Sequence, residues 1–320
     1  MSSAPPGFVD VIRDFLIAHR ELRRLFAMFR AGSLRFEDLD PVVVDDERSV
    51  LFRLKERCHA LFRPKGGPRR EAPERGLLFD LVVGSLFHEA MKFRENFYQR
   101  EVYGPQVRAL RGRAGEGADG LFREFEKILG TVSTRLGEGL EEVETLLAQT
   151  CAQLALLLRQ HADDGLVLRC LIEHPGLVEE AFDEDLDRLL AGLQRGDPAR
   201  GFELAARSYL ESGHYAEAER AFAEAERRGG DAGELDRQAA YARGMRAYLS
   251  GDYARCVAQL GVWARAATTA DGFLAGLAHA ALSRLDRLVQ AGERAELLRS
   301  ASALALRLTA LREPAVAATR

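Results

Sequence analysis

Apolar residues recur at intervals of three and four along almost every stretch longer than ten residues, and the alternation typical of strands is nearly absent. That periodicity predicts an all-α protein. From Phe8 to Arg30 it places Phe8, Val11, Ile12, Phe15, Leu22, Leu25, Phe26 and Phe29 on one face, opposite Arg13, Arg20, Arg23 and Arg24, with Gly32 as a stop. Residues 34–44 are the one place where short extended structure is expected, with Pro41 discouraging helix. Asp45 or Asp46 is expected to cap a second helix ending near Phe62, because a carboxylate there accepts the free N–H groups of the first turn.

A third helix is expected from Arg75 to Arg111, broken at Gly104-Pro105. A fourth is expected from Asp119 to about His161, with Leu121, Phe125, Ile128, Val132, Leu136, Leu140, Val143 and Leu147 as its apolar line. Spacings near 3.5 residues predict that the two pair as a long antiparallel hairpin. Gly130, Gly137 and Gly139 each cost such a helix about 1 kcal/mol relative to Ala. Either a neighbour packs closely against them, or the helix kinks there.

Asp163-Asp164-Gly165 closes this region. A chain of 320 residues has room for two domains. The expected division is a helical domain over residues 1–162 and a helical repeat domain over 163–320.

Composition narrows the function classes. No apolar run reaches the roughly 18–20 residues that span a bilayer, and no basic-then-apolar leader opens the chain. The expectation is a cytoplasmic protein with no membrane partner. Cys58, Cys151, Cys170 and Cys256 show no C-x-x-C spacing, which argues against zinc and against a disulfide framework.

Charge is uneven: residues 1–115 carry 21 basic against 16 acidic side chains, residues 116–200 carry 8 against 18, and the remainder 16 against 15. The basic excess of the first part includes Arg63, Lys65, Arg69 and Arg70, in a Pro/Gly-rich stretch that reads as a solvated loop. Nucleic-acid binding would require basic residues interleaved with exposed aromatics, so it is not the expected role.

Catalytic constellations are also wanting. Asp80, His88, Glu89, Glu95 and Glu101 suggest a di-iron bundle, in which Glu-x-x-His pairs project inward. His88 and Glu89, however, are adjacent and therefore about 100° apart around a helix. His88 is better read as a hydrogen-bonded histidine between helices. Cys58-His59 has the chemistry of a nucleophile and base, but helical neighbours point apart. No phosphate-binding or dinucleotide-binding glycine loop occurs; Gly112 to Gly117 follows a helix and reads as a connection. No enzyme activity, metal or other cofactor is expected.

An internal repeat carries the functional expectation. Ser212-Gly213-His214-Tyr215-Ala216 returns as Ser250-Gly251-Asp252-Tyr253-Ala254, 38 residues later. Each copy sits between two helical patterns of about a dozen residues. Ala206, Ala218, Ala225, Gly244 and Cys256 are the small residues needed where such helices cross.

The first copy resembles the tetratricopeptide repeat family at Phe202, Ala206, Tyr209, Gly213, Tyr215, Ala218, Phe222 and Ala225. The second matches at Gly244, Gly251 and Tyr253, has Cys256 in place of Ala, and departs at Leu260 and Trp263. Extra residues around Gly229 to Gly233 lengthen the period. The likeness covers about residues 200–266; Leu166 to Leu193 and Asp271 to Arg312 read as degenerate or capping repeats.

The resemblance implies an α-solenoid and a non-catalytic adaptor or scaffold, binding a protein or peptide in a groove lined by the first helix of each unit. By position, Arg200, Glu203 and Arg207, then Tyr241, Met245 and Tyr248, would face that groove. For Met245 and Tyr248 the rival expectation is packing between units. The Lys and Asn residues that grip a terminal carboxylate in chaperone-binding members are missing. A secretion chaperone or regulator is the alternative role for such a repeat, ahead of a helical metalloenzyme or a nucleic-acid binder.

Overall fold

A computed structural model describes residues 6–62, 73–111, 119–289 and 295–312, and these contain helices and turns but no strand. The basic stretch Arg63 to Arg70 and the glycine-rich stretch Gly112 to Gly117 lie outside the described residues. The chain divides into two compact units, one gathering Met1–Ala162 with His174–Leu186, the other Asp163–Glu173 with Asp187–Arg320.

In the first unit α1 (Pro6–Arg30) buries Phe8, Val11, Ile12, Phe15, Leu16, Leu22, Leu25 and Phe26, each worth about 1.5–3 kcal/mol of transfer free energy. Gly32, at φ 65°, ends it. Residues 34–44 are not extended: Phe36–Asp38 form a 3₁₀ turn, and the chain folds back so that Leu39, Val42 and Val43 are buried. The cap of α2 (Val50–Phe62) also differs from expectation. Ser49 precedes the helix; its hydroxyl accepts from Phe52 N at 3.4 Å and donates to Val42 O at 2.7 Å, while Asp46 bonds Arg48 instead.

From residue 73 to 111 the backbone stays helical through α3 (Pro73–Phe79), a π-helical segment Asp80–Leu86, α4 (Phe87–Tyr98), a second π-helical segment Gln99–Tyr103, and α5 (Gly104–Arg111). Gly104-Pro105 therefore does not break the helix. Pro105 lacks an N–H, and its ring would crowd the carbonyl four residues back. The wider turns of Gln99–Tyr103 relieve that conflict just before it.

The helix α6 (Asp119–Gln160) is 42 residues long, about 63 Å at 1.5 Å per residue. It packs mainly on α3, α4 and α5, and also touches α1 and the helix over residues 175–182. Gln153 donates to Glu74 O at 2.9 Å, the side chain of Leu129 lies 3.9 Å from where a Gly104 Cβ would sit, and Arg111 pairs with Glu126. Nothing packs within 4 Å of the Cβ positions of Gly130, Gly137 or Gly139, so close helix contact is not what they serve.

The expected boundary at 162/163 needs one revision. The helix α7 (Gly165–Glu173) belongs with the second unit, whereas α8 (Pro175–Phe182) returns to the first, where Val178 and Ala181 are buried and the helix contacts α1 and α6. Apolar burial assigns each helix, and sequence order does not.

In the second unit α9 (Leu186–Leu193) precedes α10 (Pro198–Glu211), α11 (Tyr215–Arg227), α12 (Ala232–Leu249) and α13 (Tyr253–Ala264). Asp164, Asp197, Asp231 and Asp252 accept backbone N–H groups at the starts of α7, α10, α12 and α13. The two copies of the repeat fold alike at their turns. Ser212 and Ser250 both lie at φ −87°, ψ −1°, Gly213 and Gly251 at φ 77° and 80°. His214 N donates to Tyr209 O and Asp252 N to Ala247 O, both at 2.9 Å.

The pairs α10–α11, α11–α12 and α12–α13 are all in contact, and α7 lies on α10. Beyond them come α14 (Gly272–Leu282), α15 (Leu285–Leu288) and α16 (Ala295–Arg312). The order of packing then changes: α13 rests on α16, while α14 touches both α10 and α12.

Candidate partner-binding site

The six residues placed on a groove by position separate into two groups. On α10, Glu203 Oε1 receives Arg200 at 2.8 Å and Arg207 at 2.9 Å, one turn to either side. The arginines keep 40% and 44% of their side-chain surface exposed while Glu203 keeps 18%, so the ladder faces solvent with its carboxylate already occupied.

A second charged step follows on α12. Glu234 takes Arg237 at 2.5 Å and Gln238 at 2.9 Å. Its carboxyl is held below the ordinary range by the Arg237 hydrogen bonds first, against the opposing effect of burial, and then by Gln238 and the charges of Arg237 and Arg207. Sequence reasoning missed Glu234 and Arg237, although their i, i+3 spacing was visible.

On α12, Tyr241, Met245 and Tyr248 do share one side, at i, i+4 and i+7. Tyr241 and Met245 do not face a groove, however. Tyr241 is fully buried: its hydroxyl donates to Leu274 O of α14 at 3.1 Å, and its ring meets Trp263 edge-on at 4.8 Å. Met245 is 7% exposed. The helix α14 contacts this middle part of α12, so a partner cannot reach Tyr241 without displacing the chain's own helix.

Tyr248 remains half-buried, its ring 6.1 Å from that of Tyr253. Leu249, next to it, is 70% exposed, and Phe273 on α14 is 61% exposed. The Arg200–Glu203–Arg207 ladder, Glu234 and these bare apolar side chains are among the accessible groups of this unit, as are Leu288 and Leu306, whereas Arg237 is largely covered.

The first unit carries another exposed apolar surface. Tyr103 just before α5, Leu110 on it, and Leu121, Phe125 and Ile128 on α6 are among its exposed large hydrophobic side chains. The last three were expected in the apolar line of the fourth helix. They are bare because α5 covers the adjoining side of α6, where Phe122 is buried.

The residues with chemical potential are dispersed. His88 is exposed rather than set between helices, and Glu89 pairs with Lys92 at 2.7 Å. Cys58 is buried, which pushes its thiol up to about 12, while the ring of the neighbouring His59 lies against Phe79. Among the described residues no three His, Cys, Asp or Glu side chains converge as a metal-binding set, and no helix is long and apolar enough to cross a membrane.

No family model, curated protein or solved structure matches this chain.

Proposed function

We propose that the protein is a non-catalytic scaffold that binds a protein or peptide partner, with tetratricopeptide-like helical hairpins in its second unit and a long antiparallel hairpin, α3–α5 against α6, in its first. The observation that carries this reading is the face of α10 and α12. There Arg200–Glu203–Arg207 forms a charge ladder on α10 with both arginines exposed, and Glu234, on the next repeat helix, bonds Arg237 and Gln238.

Exposed ion pairs of this kind contribute only about 0–1 kcal/mol each to folding. Their use to a binding surface is different: alternating charges select register and partner, and repel the wrong one. The bare Leu249 and Phe273 supply the apolar contact that charge alone lacks.

The test is affinity capture with the full chain and with Arg207→Glu combined with Leu249→Asp. A partner retained by the native chain is expected to be lost by the variant, at unchanged helical content and thermal midpoint. Equal retention by both chains, or no retained protein with either, would remove this face from consideration.

A further inference from the structure

In the first unit α1, α6 and the end of α8 leave a cleft of about 340 Å³ between them. Small residues make it: Ala148, Ala152 and Ala155 on α6 and Ala181 on α8 form its floor, with Leu147 and Phe182 beside them. Larger side chains at the alanine positions would fill the space. The volume lies at the small end of the roughly 300–1,000 Å³ range of ligand sites.

Three polar groups line this apolar floor with their interactions incomplete. His19 is 6% exposed, and its Nδ1 has no hydrogen-bond partner in the protein. A buried nitrogen in that state has lost its hydration without gaining a partner, a loss that a ligand atom would recover. Burial first, and then the charge of Arg23, hold this imidazole at about 4, so near neutral pH it is an uncharged hydrogen-bonding group.

Arg23 follows His19 by one turn of α1 and lines the same cleft, making no ion pair among the described residues. Asp183, just past the end of α8 with φ at 54°, contributes to the lining and is likewise without an ion pair there. The same two residues also line an adjoining recess with Arg20, Arg24, Glu179 and Glu180, of which both arginines bond Glu21. Glu144, also in the lining, pairs with Arg30.

We propose that this cleft binds a free α-amino acid with an apolar side chain, its carboxylate on Arg23, its ammonium toward Asp183, and its side chain on the alanine floor. The opposite charges decide the class. A simple anion would meet Asp183 and a simple cation would meet Arg23, whereas the zwitterionic head of an amino acid finds a complementary charge for each of its two groups. His19 Nδ1 supplies one hydrogen bond from the wall. The site is independent of the partner-binding face of the second unit.

Calorimetric titration of the full chain tests this with L-leucine, L-methionine and L-phenylalanine, alongside two one-headed analogues of leucine, 4-methylpentanoate and 3-methylbutylamine. Saturable binding of at least one amino acid is expected. Loss of one ionic contact is expected to weaken the analogues of leucine by about tenfold or more. Arg23→Glu removes the cation and Ala152→Leu fills the cleft; both positions are exposed, so folding should survive and binding should fall by about tenfold or more. No heat from any of the three amino acids, equal affinity for a one-headed analogue, or native affinity in both folded variants would overturn the proposal.

Discussion

His19 is buried without a partner at Nδ1, and its neighbourhood in the cleft contains Arg23, Cys151, Glu144 and Asp183. Its proton affinity is lower in the folded chain, about 4 against an ordinary 6.5, so the unfolded chain binds the proton more readily between those values. Stability from this residue is present above pH 6.5 and drains away as the pH falls toward 4. Denaturant unfolding at pH 7 and pH 5 should show a loss of about 2 kcal/mol in the native chain that is missing from His19→Leu. The same pH dependence in both would show that the imidazole is not responsible. Nothing in the spacing of α1 distinguished His19 from its apolar neighbours, because burial of a single polar residue is a property of what packs above it.

At the level of elements, glycines of the same sequence type have opposite consequences. A Cβ on Gly165 would lie 2.7 Å from Leu204 O, where α7 crosses α10, whereas Gly137 and Gly139 on α6 have nothing within 4 Å. Gly165→Ala should therefore cost about 1–3 kcal/mol through displaced backbone. Gly137→Ala with Gly139→Ala should stabilise by up to about 1 kcal/mol per site, because only backbone entropy changes. Thermal melts of the two variants should move in opposite directions, and a fall in both would mean that α6 is packed at its glycines. Helices such as α1 and α6 were legible in the sequence, since a 3.6-residue period survives any packing. The π-helical turns before Pro105 and the Ser49 cap were not, because each depends on contacts made after the helices form.

The whole molecule leaves an apolar surface bare where α5 and the start of α6 meet. Five side chains there, Tyr103, Leu110, Leu121, Phe125 and Ile128, are between 38% and 60% exposed. At roughly 200 Å² per large side chain, half exposed, they offer about 500 Å², within the range of patches that are often functional on a monomer. Phe125→Glu with Ile128→Glu should reduce the emission of a bound hydrophobic dye while changing stability by no more than about 0.5 kcal/mol. Unchanged dye emission, or a loss well above that figure, would show that these residues are packed.

The sequence by itself determined that this chain is helical, where most helices run, and that two turns 38 residues apart are the same device. Periodicity and glycines at positive φ are local properties, and they act before any tertiary contact exists. Exposure was decided elsewhere. Tyr241 and Met245 share a helical side with Tyr248, yet α14 lies over the first of them and leaves Leu249 bare. Likewise Leu121, Phe125 and Ile128 continue the apolar line of α6 into solvent, while α8 crosses the expected boundary to bury Val178. A period specifies which side chains point the same way; only the neighbouring elements settle whether that direction ends in a core, a cleft or water.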